Sequence, residues 1–146
     1  MIMSQSAQSD IYRPIIEQIA DAIIYSDSEG IIRVWNAAAM EIFGYTKDEA
    51  IGQSLDLIIP ERLRAAHWVG FNRAMERGMT QHAGRATVTR SLTRDGGSVF
   101  VEMSFAVVTD GDGKAMGSVA MARDVTKRHR AEQLLRGRTV TPTHEQ

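Results

Sequence analysis

The chain has 146 residues, of which 43% are hydrophobic and 24% are charged, and it contains no cysteine. This length suits one domain with a proper core, and the missing thiols exclude disulfide frameworks, thiolate metal sites and cysteine nucleophiles. The net charge of -1 gives no electrostatic case for nucleic-acid binding, and no apolar run approaches the roughly 18 residues of a membrane span. We therefore predict a cytoplasmic protein without a nucleic-acid or membrane partner.

Periodicity and capping residues predict the first half of the chain as a hairpin followed by helices. Asn36 is a good N-cap, Thr46 and Glu49 are typical of a capping box, and Gly78 is a natural helix stop. The predicted elements are a short helix over 14–21, strands over 22–26 and 31–35, a helix over 37–43, a short helix closed at Gly52 and a longer helix over 61–77.

The second half is predicted to contain three strands joined by glycine-rich turns, followed by a basic helical segment from Val125. The predicted strands cover residues 83–94, 98–108 and 115–123. Because the helices are grouped and the strands meander, we predict an α+β fold, a five-stranded antiparallel sheet with short helices and one longer helix on one face. The space between the longer helix and the sheet is the natural pocket.

Five motifs follow one another in this sequence: residues 27–36, Phe43-Gly44-Tyr45, Leu57-Ile58-Ile59-Pro60-Glu61, Arg94-Asp95-Gly96 and Arg123-Asp124-Val125-Thr126. Taken in this order, they resemble the motifs of PAS domains, which are sensory modules. Each motif is weak alone, but together they cover residues 14–130 at normal spacing. The fold implied by the resemblance agrees with the α+β layout, and sensing is its expected role.

Within the longer helix, His67 is the polar member of an otherwise apolar stripe. Leu63, His67, Gly70 and Ala74 follow at i, i+4, i+7 and i+11, so they share one helix face. A neutral imidazole there points into the expected pocket, and Gly70 leaves room for a flat ligand. Axial ligation of a haem iron needs one imidazole, an apolar slot and an open distal side.

This segment resembles the haem-binding, oxygen-sensing PAS domains, whose proximal histidine lies in the same helix after an Arg-x-x-His element. Arg64-Ala65-Ala66-His67 matches that element, so the resemblance implies His67 as the iron ligand of haem b. Those relatives also place an arginine six residues later against a haem propionate, and Arg73 stands there. Leu63, Gly70 and Met103 are expected to line the same pocket.

Two positions on the following strand depart from that resemblance. In oxygen-sensing kinases an arginine there hydrogen-bonds the bound gas, and Thr87 stands at its position. Arg85 occupies the place of a methionine that other haem relatives use. Both are candidate cofactor contacts. The apolar residues of the strand, such as Val88, predict that Arg85 and Thr87 point away from the core, unless the outer sheet face is also covered.

His67 has a second interpretation, as a hydrogen-bonded histidine packed between helix and sheet. In that case the pocket holds another small organic ligand, or it holds none and the chain is a ligand-free dimerisation and relay module of a histidine kinase or other signalling protein. We find no Ser/His/Asp constellation, phosphate loop or paired carboxylates, so we predict a regulatory module rather than an enzyme.

The two ends are predicted to handle signalling. We expect a flexible N-terminus over 1–9, the PAS domain over 10–126, and the start of a signalling helix with a flexible tail over 127–146. In PAS domains such a helix reaches a kinase or other effector. Ile11, Ile15 and Ile19 form a stripe that suits packing on a second copy, so we predict a homodimer.

Overall fold

The computed structural model describes residues 2, 4–79 and 85–140. Five strands form one antiparallel sheet in the order β2-β1-β5-β4-β3, which confirms the predicted fold class. The elements in chain order are α1 (Gln5–Gln18), β1 (Ala22–Asp27), β2 (Ile32–Trp35), α2 (Ala37–Phe43), α3 (Lys47–Ala50), a 3-10 helix (Leu55–Ile58), α4 (Glu61–Arg77), β3 (Thr87–Leu92), β4 (Ser98–Thr109), β5 (Ala115–Asp124) and α5 (Thr126–Val140).

The core lies between one face of the sheet, called here the inner face, and helices α2 to α4. Strand alternation places Ile24 of β1 and Val101 of β4 on this inner face, where both are buried. Phe43 of α2 and Phe71 of α4 cover them from the helical side. This two-layer packing sets the distance between α4 and the sheet.

Asn36 joins three elements at the N-terminus of α2. Its Oδ1 accepts from the backbone N–H groups of Ala39 and Ile23, and its Nδ2 donates to the carbonyls of Ile16 and Asp21. All four hydrogen-bonding positions of the buried amide are therefore used. The predicted N-cap is confirmed, and the side chain also ties the end of α1 to β1.

The first helix is the largest departure from the predicted elements. It runs over Gln5–Gln18 instead of residues 14–21, with the Ser4 hydroxyl accepting from the N–H of Ala7. Residues 5–9, which were predicted to be flexible, belong to it. The polar run before Ile11 carries no hydrophobic period, so only the N-cap serine signals this earlier start.

The third strand is shorter than predicted, covering Thr87–Leu92. Residue 83, the predicted start of this strand, lies outside the described residues, as do residues 141–146 of the predicted tail. The longer helix α4 has the predicted bounds, and Gly78 ends it with a φ of 71°. Within the described part of the chain, no helix combines the length and apolar character needed to cross a membrane.

The last helix is attached to the outer face of the sheet at its start. Thr126 Oγ1 accepts from the N–H of Phe100, and the carbonyl of Phe100 accepts from the N–H of Val125, each at 2.9 Å. The His129 ring lies on Phe100 with their centroids 4.2 Å apart. Strand β4 therefore carries both the inner core and the base of α5.

Candidate functional site

A cavity of about 410 Å³ lies between α4 and the inner face of the sheet, where the sequence predicts a pocket. Most of its lining is apolar, and the 3-10 helix, α4 and β4 all contribute to it. Arg85 is exposed, precedes β3 and does not line the cavity, so it is not brought to the site. The other six predicted contacts do line it: Leu63, His67, Gly70, Arg73, Thr87 and Met103.

Helix α4 brings His67 to the cavity, because residues at i, i+4 and i+7 share one helix face. The imidazole is half-buried and packs against two aromatic neighbours. Its centroid lies 4.7 Å from that of Trp68, edge to face, and 6.0 Å from that of Phe71, in a stacked arrangement. These contacts restrict the orientation of the ring.

The His67 ring lacks one of its hydrogen bonds. Nδ1 is buried without a hydrogen-bond partner among the described residues, so the hydrogen bond expected of a packed core histidine is not formed there. Burial lowers the pKa of His67 below its ordinary 6.5, although the Asp56 carboxylate opposes this shift. The imidazole is consequently neutral at pH 7, which is the form that binds metals.

Trp68 anchors α4 beside the cavity. Its Nε1 donates to Asp56 Oδ1 at 2.8 Å, which joins α4 to the 3-10 helix. Its ring lies against Gly30, where a Cβ would stand only 2.2 Å from the indole. The turn after β1 therefore contributes to the position of His67 through the neighbouring tryptophan.

The sheet side of the cavity corrects the predicted orientation of Thr87. Thr87 pairs with Met103, and Thr89 pairs with Val101, so both threonines share the inner face with buried residues of β4. The apolar residue used for the prediction, Val88, is 44% exposed on the outer face. Pairing with β4 therefore overrides the apolar pattern of β3 itself.

Two arginines of α4 lie at the cavity, Arg73 as predicted and Arg77 one turn later. Arg77 was not predicted, although it lies three residues after Ala74 on the helix face that contains His67. Neither guanidinium forms an ion pair within the described residues. Two exposed cations one turn apart repel each other modestly and favour an anion between them.

Comparison with known families finds a match to the PAS fold family over residues 10–125. Sensor protein FixL of Bradyrhizobium diazoefficiens is 30% identical over 99 residues, which are 68% of this chain and 20% of that protein. Oxygen sensor protein DosP of Escherichia coli is 26% identical over 124 residues, which are 84% of this chain and 15% of that protein. The chain spans about a fifth or less of each of these two relatives.

Solved structures show the same fold. The PAS domain of a protein from Colwellia psychrerythraea superposes with a TM-score of 0.72 at 24% sequence identity. The match covers 83% of this chain and 99% of that one. At this identity the likeness establishes the arrangement of helices and strands.

Proposed function

The chain belongs to the PAS family of sensory signalling domains, and from this premise we propose that its cavity binds a small cofactor, haem b, through His67. The observation that carries the proposal is a neutral imidazole, with an unpartnered Nδ1, on the wall of an apolar cavity. A buried Nδ1 without a partner weakens the interpretation of His67 as a hydrogen-bonded core histidine, and this favours a ligand-binding role for the imidazole.

The size of the cavity suits a small organic ligand. Its volume of about 410 Å³ lies within the roughly 300–1,000 Å³ range of small-molecule sites. Gly70 adds space one turn from His67, because a Cβ built there would meet no atom within 4 Å. A glycine inside a helix is unfavourable by about 1 kcal/mol relative to alanine, and no packing contact explains it here.

The charges of the cavity fit the polar ends of haem. Arg73 and Arg77 are suited to the two propionates, because guanidinium groups form strong hydrogen bonds with carboxylates. Met103 and Leu63 supply apolar contact for the macrocycle. When bound, the iron would supply reversible gas binding or a change of redox state.

The named relatives support a gas as the input. One is an oxygen sensor protein, matched over 84% of this chain, and the other is a sensor protein, matched over 68% of it. Because most of each relative lies outside the match, the partner that receives the signal here is also a proposal. We place a kinase or other effector beyond α5, since this helix leaves the sheet at the end of the matched region.

Hemin titration tests the haem proposal. We expect the wild-type domain to take up one hemin per chain with a Soret band typical of histidine ligation, and His67→Ala to lose that band. His129→Ala is the matched control, since His129 lies on α5 against Phe100 and away from the cavity. Circular dichroism should show that both variants are folded. A wild-type domain that stays colourless would overturn the proposal.

A second candidate function is ligand-free dimerisation and relay, and α1 supports it. The helix has no buried residue, and Ile11, Ile15 and Ile19 are 42%, 52% and 40% exposed. Such a stripe is typical of a surface that packs on another chain. A homodimer is compatible with either content of the cavity, so an empty cavity in a dimeric protein would favour this second function.

A further inference from the structure

Four charged side chains of alternating sign cross the outer face of the sheet, and they are called here the charge row. Asp21 precedes β1, Arg123 lies on β5, Glu102 lies on β4, and Arg128 lies in the first turn of α5. Adjacent residues of β4 and β5 are buried on the inner face, so strand alternation turns Glu102 and Arg123 outwards. The charge row therefore joins the chain before β1 to the beginning of the last helix.

The side chains of the charge row contact each other at both ends. Arg123 donates two hydrogen bonds to the Asp21 carboxylate, at 3.1 and 3.2 Å. Arg128 Nη2 donates to Glu102 Oε2 at 2.9 Å. In the middle, Glu102 and Arg123 are directly paired across β4 and β5. Hydrogen bonds to Asp21 raise the pKa of the Arg123 guanidinium, and the charge of Glu102 raises it further.

The α5 end of the charge row offsets an unfavourable helix terminus. A helix N-terminus carries a partial positive charge, so a cation in its first turn destabilises it. Lys127 and Arg128 both lie there, and the first turn contains no acidic residue. Glu102 supplies the missing negative charge from β4, and Glu132 approaches the Arg128 guanidinium at 3.9 Å. The beginning of α5 thus depends on a carboxylate of the sheet.

The other end of the charge row is fixed where α1 meets β1. The side chain of Asp21 is only 17% exposed, and its carbonyl accepts from Asn36 Nδ2 at 3.0 Å. The same amide donates to the carbonyl of Ile16 in α1 at 2.8 Å. A displacement of α1 therefore reaches Asp21 through one shared side chain.

We propose that the charge row is a conformational device that couples the position of α1 to the order of α5. Single exposed ion pairs contribute little to stability, but bidentate pairs and networks of charges contribute more. When Asp21 moves away, Arg123 loses its carboxylate and turns to Glu102, its remaining anionic neighbour. Arg123 then competes with Arg128 for Glu102, and the first turn of α5 loosens.

The competition predicts opposite results for two variants at one ion pair. In amide hydrogen exchange of the hemin-free domain, followed by NMR over residues 129–134, Asp21→Asn should speed exchange about twofold. Arg123→Gln should not speed it, because Glu102 is then left to Arg128 alone. The double variant should return exchange to the wild-type rate. Glu102→Gln should give the largest acceleration, about threefold.

An ion pair outside the charge row and added salt provide the controls. Arg33→Gln removes the exposed pair with Asp27, at 2.9 Å, and should leave α5 exchange unchanged. Sodium chloride at about 0.5 M screens exposed charges, so it should move the wild-type rate towards that of Glu102→Gln. The rate in Glu102→Gln itself should respond less. Circular dichroism should show that all variants are folded.

The outcomes are independent of the haem proposal, because the measurement uses the hemin-free domain. Wild-type exchange of α5 in Asp21→Asn would overturn the coupling. Equal acceleration in Asp21→Asn and Arg123→Gln would also overturn it, since the pair would then hold only the local structure. A protein that never binds hemin would leave the charge row as proposed.

Discussion

At the residue scale, burial of His67 makes the stability of the domain depend on pH. Burial lowers the pKa of this imidazole in the folded state, so the unfolded chain takes up the proton first as the pH falls. The free energy of unfolding should therefore decrease as the pH falls from the unfolded pKa of 6.5 to the lower folded pKa. Below the folded pKa, His67 should have no further effect on stability.

Urea unfolding of the hemin-free protein between pH 7 and pH 5 checks this prediction. We expect His67→Gln to flatten the slope in that window, because glutamine does not titrate. The carboxyl groups of Asp27, Glu49 and Asp95, whose pKa values are lowered by hydrogen bonds, act at more acidic pH. An unchanged slope in the variant would show that His67 is not protected from protonation.

Gly30 is required for its backbone conformation and for its close contact with Trp68. A comparison with Gly52, which has only the first requirement, measures the two effects separately. Both have positive φ, 80° and 89°, but a Cβ at Gly30 would overlap the Trp68 ring while a Cβ at Gly52 would meet nothing. We expect Gly52→Ala to cost about 1–2 kcal/mol from backbone strain alone. Gly30→Ala should cost about 2–5 kcal/mol, because the overlap adds to the strain.

Thermal and urea unfolding of the two glycine variants provide the measurement. Equal losses at the two positions would contradict the contact with Trp68. In hemin-loaded protein, Gly30→Ala should also change the Soret region, since Trp68 lies directly beside His67. Gly52→Ala should leave that spectrum as it is.

Among the residues of the site, the helical period places those on α4, whereas the orientation of residues on β3 does not follow from the pattern of that strand. The helical period alone placed His67 and Gly70 at the cavity, and it extends to Arg77. The apolar residues of β3 favour the wrong face for Thr87, because the strand is exposed on both sides at its start and its own pattern carries little information. Its orientation depends on pairing with β4, which is a long-range property.

At the element scale, Gly70 makes α4 less stable as a helix but leaves space in the cavity beside His67. Gly70→Ala should raise the free energy of unfolding of the hemin-free domain by about 0.5–1 kcal/mol, because alanine is the better helix former and its Cβ meets no atom. The same methyl group narrows the cavity beside His67, so hemin should dissociate faster. Unfolding by urea and hemin transfer to excess apomyoglobin measure the two effects.

A variant that gains stability and retains hemin as firmly as the wild type would remove the functional explanation of this glycine. Ala65→Gly is a useful reverse control on an exposed position of the same helix that does not line the cavity. It should lose stability by a similar amount and leave hemin dissociation unchanged.

The elements differ in how far their bounds could be predicted. Helix α4 has a proline before it, a glycine after it and a regular apolar stripe, and its bounds were predicted correctly. Helix α1 has a polar first half, so periodicity located only its second half. Tertiary contacts of that second half, such as the Asn36 hydrogen bond to Ile16, cannot be read from local pattern.

At the scale of the whole molecule, the α1 stripe predicts self-association. Ile15→Lys places a charge on the exposed apolar stripe and should weaken a dimer by at least about tenfold, the loss expected for one buried isoleucine. Ser9→Lys introduces the same charge on another side of α1. Sedimentation velocity over a range of concentrations measures both, and a wild type that stays monomeric throughout would rule out the dimer.

The family could be recognised from the order of its motifs, but the ligand depends on a few side chains around one cavity. His67 on α4 and Thr87 on β3 line the same cavity only because the fold places α4 across the inner face of the sheet. Sequence patterns describe each element separately. For this reason the sequence predicts the fold more completely than it predicts the ligand.

The attachment of α5 to β4 converts a small movement of β4 into a larger movement at the far end of α5. The base of α5 is held at Phe100, three positions along β4 from Met103 on the cavity wall. The helix has 15 residues and is therefore about 22 Å long. If β4 twists by about 5° around a bound ligand, the far end of α5 swings by about 2 Å while the pivot scarcely moves. A displacement too small to rearrange the core thus becomes a displacement that a neighbouring protein can detect.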